Sequence, residues 1–422
     1  MGRYSEYKDS GVQWLGEIPE HWEEQRMATL FTGDIEVNKD FEYKRAFKFN
    51  YGQLVPKNEI GEPEDYREVY VKYSKIKQGD ILVNGLNLNY DFISQRVACA
   101  PSDGIITSAY VVCRPRKDVN YEYYTYLFKG MDSMKLFHGM GTGIRLTLSF
   151  KEMKKQILPI PPLSEQHSIV SYLDDKCGKI DKMLEGKQKQ IELLAEMKQR
   201  IIADAVTRGL NPDVKMKATD IPWLPEIPEH WEMESLRRFL KIFAEKGHGD
   251  KQLLSVTREQ GVIERNTDSK EENHNFIPED LSGYKYVQVG DFVINKMKSW
   301  QGSYGVSEYE GIVSPAYFTC KLQGVDKDFF STAIRSKIYV SFFARYSEGI
   351  RVDQWDLSPI ALKSIPFALP PLDEQHAIVS YITDKTSKID TLTSKLQQEI
   401  ESIKEYKQRL ISDVVTGQIK VC

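Results

Sequence analysis

From Leu173 to Ala205 residues, most of them apolar, recur in steps of four and three: Leu173, Cys177, Ile180, Leu184, Lys187, Ile191, Leu194, Lys198, Ile201 and Ala205. The same slots return 209 residues later (382 − 173 = 209) as Ile382, Thr386, Ile389, Thr393, Leu396, Ile400, Ile403, Lys407, Leu410 and Val414. That spacing keeps one helical face apolar over many turns and defines a coiled-coil seam. Each copy predicts one long helix, opening at PPLSEQHSIVSYLDDKCGKID from Pro161 and at PPLDEQHAIVSYITDKTSKID from Pro370. Ser164 and Asp373 stand where N-caps are wanted. Glu165 and Glu374 fall in the first turn, where the helix dipole favours negative charge. The prolines stop a helix from running in from upstream. About 45 residues span roughly 65 Å, and a lone helix of that length cannot bury its seam. The nearest partner is its own repeat. The two helices are therefore expected to pack antiparallel, as a rigid bar between two similar halves.

A second repeat precedes each half. WLGEIPEHWE from Trp14 returns as WLPEIPEHWE from Trp223, again at an offset of 209 (223 − 14 = 209). Two tryptophans bracketing a proline turn suggest an anchor clamped on a domain surface, with His21 and His230 as packed structural histidines rather than ligands. Between anchor and helix lies a variable stretch. In the first half, strand-like runs at 69–71, 79–84, 104–107 and 109–112 alternate with turn signals, and 121–131 reads as an amphipathic helix rich in aromatics. The second half keeps the landmarks: VGDFVIN at 289–295 matches QGDILVN at 78–84, GIVSPAY at 311–317 matches GIITSAY at 104–110, and Gly349-Ile350-Arg351 matches Gly143-Ile144-Arg145. The offsets drift from 206 to 211, so the two domains share a fold with loop insertions. The segment 209–222 reads as a linker, and the residues before Trp14 occupy the equivalent place. The C-terminus beyond Thr416 should then end near the N-terminus.

With 422 residues and 41% hydrophobic content the chain can build two cores. No stretch approaches the ~18 apolar residues of a membrane span, and MGRYSEYKDSG lacks the apolar core of a signal peptide and the pattern of a lipidation site. Five cysteines without a CxxC pair favour a reducing cytoplasm and give no metal site. The net charge of −4 runs against a simple nucleic-acid binder. Locally, though, residues 129–155 carry six Lys/Arg against two Asp/Glu (6 − 2 = +4), and residues 335–363 carry five against three (5 − 3 = +2). Basic patches on the domains and a scattered solvated surface both fit these numbers.

The catalytic readings fail on their residues. An amino-methyltransferase needs Asn/Asp-Pro-Pro-aromatic, whereas both Pro-Pro pairs here sit in Pro-Pro-Leu. The glycine-rich FHGMGTG at 137–143 has no counterpart in RYSEG at 345–349. Glu-x-Lys, a nuclease element at Glu42/Lys44, also occurs at Glu6/Lys8, Glu196/Lys198 and Glu405/Lys407, which is background. No Ser/His/Asp or metal-ligand constellation repeats or clusters.

The doubled WLxEIPEHWE and PPLxEQHxIVxYxxxKxxKID segments, with the Gly-Ile-Arg landmark, closely resemble the specificity subunits of type I restriction–modification systems, over essentially the whole chain. The resemblance implies an α+β fold. Two similar target-recognition domains, mixed α/β with a curved sheet, are separated by two long antiparallel helices with a pseudo-twofold internal repeat. The expected boundaries are 1–158 and 210–368 for the domains, and 159–209 and 369–422 for the helical regions. It further implies that each domain reads one half of a split, asymmetric double-stranded DNA site, that the helices hold two methyltransferase subunits, and that restriction subunits complete the nuclease. S-adenosylmethionine, ATP and magnesium then bind those partners, and this chain carries no cofactor and no catalysis. A non-catalytic scaffold or inhibitor built from duplicated domains is the alternative; a stand-alone endonuclease lacks its active-site residues.

Base reading needs paired donors and acceptors, Arg for guanine and Asn or Gln for adenine, while phosphate contacts fix register. The candidates on loops beside the shared strands are Asn84, Asn87, Asn89, Tyr90, Gln95, Arg96 and Arg145 in the first domain. In the second they are Asn295, Lys296, Lys298, Trp300, Gln301 and Arg351. For Arg145 and Arg351 a salt bridge holding the domain on its helix is an equal alternative, and for 84–89 plain turn chemistry is one. The partner-facing candidates on the helices are Glu165, Gln166, Tyr172, Lys179 and Asp181, with their repeats Glu374, Gln375, Tyr381, Lys388 and Asp390. DNA half-sites read from one face should lie roughly 34 Å apart.

Overall fold

The computed structural model describes residues 2–50, 52–92, 94–143, 146–266, 277–349 and 355–421. The two predicted helices are continuous, Leu163–Arg208 and Leu372–Val415. Both begin at the leucine after Pro-Pro, so Ser164 and Asp373 lie inside the first turn rather than at the cap. Capping falls to other groups: the backbone amides of Gln166 and Gln375 donate to Pro162 and Pro371. The side-chain amides of the same glutamines donate back to Pro161 and Pro370, each at 2.8 Å. Every predicted seam position is buried or half-buried, while its neighbours on the other faces are mostly exposed.

The chain divides into two compact units, one of residues 1–188 with 397–422 and the other of residues 189–396. Each unit therefore holds the start of one long helix and the end of the other. In the first unit Lys407 meets Asp181 at 2.6 Å and Lys187 meets Glu399, so the numbering rises on one helix as it falls on the other. In the second unit Lys198 meets Asp390 at 2.7 Å, and Ala205 and Val206 share a core with Ile378 and Ile382. The pairing is antiparallel in both.

Each unit builds the same strand frame. A short hairpin, Tyr7–Asp9 with Glu17–Pro19, is reproduced as Met216–Ala218 with Glu226–Pro228. The strand after the second tryptophan, Glu23–Arg26, pairs with Ile157–Ile160, which leads into the long helix. Its repeat, Glu232–Ser235, pairs with Pro366–Leu369. The central sheet has four strands in the order Phe31–Thr32, Val111–Pro115, Ile81–Val83, Val97–Cys99, and in the second unit Leu240–Phe243, Phe318–Leu322, Phe292–Ile294, Tyr304–Val306. A further strand pair (Ser74–Ile76 with Gly104–Ile106; Lys285–Val287 with Gly311–Val313) and a hairpin (Phe47–Asn50 with Gln53–Pro56; Leu254–Thr257 with Gly261–Glu264) complete each domain.

The shared Gly-Asp landmark has a structural cause. Gly79 and Gly290 take positive φ, +86° and +93°, and the next carboxylate turns back to accept from the backbone of Lys77 or Gln288 at 2.8 Å. Asp80 is then bridged by Arg114 and Asp291 by Lys321 on the neighbouring strand. Residues 69–71, expected as a strand, instead close the helix Arg67–Tyr70; Tyr70 is buried against Tyr66 and Tyr73, and that aromatic packing outweighs the β-branched valines. The helix expected at 121–131 runs Tyr121–Ser133, capped by Asn120. The chain ends meet in the first unit: Gly2 bridges Lys420, Tyr7 donates to Gly417 O and Gln418 donates to Glu17 O.

Gly104 and Gly311 show how tight this frame is. A Cβ at either would stand 2.5 Å from Arg45 O or 2.4 Å from Gln252 O. Gly104→Ala and Gly311→Ala should each cost about 1–3 kcal/mol through overpacking, read as a lower urea midpoint. Gly139→Ala, which meets open space, should be neutral or stabilise by up to ~1 kcal/mol.

Candidate nucleic-acid interface and helix faces

The candidates at 84–96 fall in one loop, between the adjacent sheet strands Ile81–Val83 and Val97–Cys99. Those at 295–301 fall in the loop between Phe292–Ile294 and Tyr304–Val306, the same two strands of the second sheet. Two sets chosen by residue type thus occupy one topological place.

Arg96 organises the first loop and is not available to DNA. It is fully buried. Its guanidinium donates to the carbonyls of Asn84 (2.9 Å), Leu86 (2.8 Å) and Asp91 (2.6 Å), and its backbone amide donates to Asp132 Oδ2 at 2.8 Å. A charge with no solvent is held by the carbonyl dipoles it gathers. Asp132 is buried as well, which raises its carboxyl above the ordinary value. From beneath, Lys135 donates to Phe92 O, His138 Nε2–H donates to Asp91 O at 3.0 Å, and the His138 ring stacks on Phe92 at 4.7 Å. Asn84 makes an Asx turn, accepting from Leu86 N at 3.2 Å, and Asn89 is half-buried. Asn84 thus acts in the turn. The loop presents Asn87, held at φ +52°, Tyr90, 81% exposed, and Gln95 to solvent.

The second loop divides in the same way. Asn295 is buried and donates to Tyr317 Oη at 3.3 Å, so it too is a framework residue. Lys298 is exposed. Lys296 pairs with Asp356 at 2.9 Å, and Trp300, half-buried like Gln301, packs against Trp355 at 5.2 Å. Sequence reasoning missed Arg335, whose guanidinium donates to the carbonyls of Tyr304 (2.6 Å) and Glu259 (2.7 Å) and ties a hairpin turn to the sheet. Nothing in the one-dimensional pattern marks it. Arg145 and Arg351 lie outside the described residues. The glycine-rich 137–143 opens in a short helix, Leu136–Met140, that buries Phe137.

Four of the partner-facing candidates turn inward. Glu165 accepts from Trp22 Nε1 at 3.0 Å and Tyr4 Oη at 2.9 Å, and lies 2.5 Å from His21 Nε2. Glu374 repeats this with Trp231 Nε1 at 3.0 Å and His230 Nε2 at 2.8 Å. The doubled His-Trp and Glu-Gln segments are thus the two halves of one fastener, with each tryptophan fully buried. Gln166 and Gln375 are buried in the caps described above. Asp181 and Asp390 are engaged by Lys407 and Lys198 across the helix pair. Tyr172 is half-buried, with Lys176 over its ring; Tyr381, Lys179 and Lys388 remain on the outer faces.

Those outer faces carry apolar residues in register with the repeat. Leu163 and Leu372, Met183 and Leu392, and Met197 and Tyr406 are each 209 apart (372 − 163, 392 − 183, 406 − 197), and all six are between 47% and 57% exposed. Among the described residues no group of three or more His, Cys, Asp or Glu could hold a metal ion, and no helix is long and apolar enough to cross a membrane.

Residues 47–193 match the family described as type I restriction modification DNA specificity domain. The MjaVIII specificity subunit of Methanocaldococcus jannaschii is 26% identical, over 83% of this chain and 83% of its own. The putative MjaX specificity subunit of the same organism is 24% identical over 96% of each. The chain is thus similar to the specificity subunits of type I restriction enzymes over most of its length. A chain from a solved structure of a type I R-M system shares this chain's fold, with a TM-score of 0.67 at 13% identity over 95% of this chain and 99% of that one.

The Glu165 fastener should make the first unit acid-sensitive. Burial opposes ionisation of Glu165, but the hydrogen bonds from Trp22, His21 and Tyr4 outweigh it and hold the carboxyl below its ordinary value. A carboxyl depressed in the folded state contributes stability above its unfolded pKa and loses it as pH falls through the folded one. Glu165→Gln should therefore cost about 1–3 kcal/mol at pH 7. The gap to wild type in denaturant melts should close as pH drops below about 4.

Proposed function

We propose that this chain is a specificity subunit, a non-catalytic reader of double-stranded DNA. Its two target-recognition domains each bind one half of a split, asymmetric site. The long helices fix the unspecific gap between the half-sites and seat two DNA methyltransferase subunits, with restriction subunits joining to complete a cytoplasmic nuclease. S-adenosylmethionine, ATP and magnesium belong to those partners.

The observation that carries the reading is the loop between the same two strands of each sheet, framed alike and filled differently. One presents Asn87, Tyr90 and Gln95, and the other Lys296, Lys298 and Trp300. A carboxamide matches the donor–acceptor edge of adenine in the major groove, a lysine reaches guanine or phosphate, and an aromatic ring packs on sugar or base. Two such surfaces on equal frames are what two unlike half-sites require. Arg145 and Arg351 remain candidates beside them. The exposed apolar pairs on the helices support two copies of one protein partner, since a surface used once would not be repeated. That partner also accounts for the acidic total: phosphate neutralisation can be shared with subunits that enclose the DNA.

Replacing residues 24–158 by those of a relative with a different target, in a complex with the methyltransferase, should change one half of the methylated motif and leave the other half and the gap as they were. A change in both halves, read by sequencing methylated adenines, would contradict two independent readers.

A further inference from the structure

The two helical faces repeat in sequence but not in polarity. In the second unit, Gln190, Leu193, Leu194, Met197, Leu392 and Leu396 line an open cavity of about 390 Å³. Leu193, Met197 and Leu392 are roughly half-exposed there. The repeat maps this face onto the first unit position by position at 209. Met183 stands for Leu392, Lys187 for Leu396, Glu399 for Gln190, Ser402 for Leu193, Ile403 for Leu194 and Tyr406 for Met197. Two apolar places are thereby lost: Leu396 becomes a lysine and Leu193 a serine. The lysine is bound across the helix pair to Glu399, whose side chain is 56% exposed. A partner helix laid on the first face must desolvate or displace that ion pair. On the second face it meets leucine and methionine, an adaptable apolar surface.

We propose that the two methyltransferase seats are unequal, the tight seat being the Leu193/Met197/Leu392 face of the second unit and the weak one the Met183/Lys187/Tyr406 face of the first. The occupant is one partner used twice, because the exposed apolar positions flanking each seat recur at the repeat spacing. It offers an apolar helix face, since both seats keep exposed apolar residues at 183/392 and 197/406. The inference rests on the docking reading above and adds an order to assembly: the second unit is loaded first, and a complex with one methyltransferase is a defined species.

The test is native mass spectrometry of the full chain mixed with its cognate methyltransferase over a dilution series. Wild type should pass from two partners to one with dissociation constants at least about tenfold apart. Leu193→Lys with Met197→Lys should abolish the tight step and leave one weakly held partner. Met183→Lys with Tyr406→Lys should abolish the weak step and leave one tightly held partner. Lys187→Leu with Glu399→Gln should bring the two constants together by strengthening the weak seat. The substituted side chains other than Lys187 are about half-exposed, and unchanged thermal melts of the free chain check that each variant folds. Equal constants for wild type, or loss of the tight step in the Met183/Tyr406 variant, would overturn the inequality while leaving docking intact. No complex with the wild-type chain would overturn the docking reading itself.

Discussion

Lysines stand in a mostly apolar seam, and their partners are set by the repeat. Lys198 reaches Asp390 and Lys407 reaches Asp181, and each residue of one pair is the 209-shifted counterpart of a residue in the other. Two half-exposed ion pairs add little to stability, since exposed pairs are worth about 0–1 kcal/mol each. A polar residue at a seam position contributes register instead, favouring the antiparallel pairing in which both lysines meet their aspartates at once. Everything attached to the helices inherits that register. The strand leading into each helix pairs with the strand after the buried tryptophan, and the tryptophan is bonded to the glutamate of the helix's first turn. Each domain is therefore held at a fixed place on the helix that follows it.

Function follows from a division between what is repeated and what is not. The fastener, the Gly-Asp turn, the four-stranded sheet and the seam occur twice because each solves the same packing problem twice. Within the candidate loop, buried residues hold the shape: Arg96 with its gathered carbonyls in one domain and Asn295 in the other. Asn87, Tyr90, Gln95 and Lys298, the exposed candidates, lie outside that buried frame. Under the proposed function, such a loop can change its target without losing its fold.

The seam, the helix lengths, the antiparallel pairing and the doubled domain frame were legible in the sequence because each is a periodicity or an offset, and both survive projection onto one dimension. The candidate loops were found because the Gly-Asp strand that precedes them is itself a landmark. What was not legible is direction. Glu165 and Glu374 read as outward-facing helix residues, and only the fold shows that a tryptophan and a histidine 143 and 144 positions earlier claim their carboxylates. Arg96 has the right chemistry for guanine, yet its buried guanidinium is engaged by the carbonyls of its own loop and by the Asp91 carboxylate. Residue type states what a side chain can bond; the chain's closure decides what it does bond. The valines at 69 and 71 show the same limit, with a β-branched pair overruled by tyrosines packed around Tyr70.

The most direct test is a single-molecule sequencing map of methylated adenines on DNA exposed to this chain assembled with its methyltransferase. The account predicts one motif in two unlike halves, separated by a gap of constant length and no base preference. A continuous motif, a gap of variable length, or no methylation by a stably assembled complex would contradict two rigidly framed readers on a register-locked pair of helices.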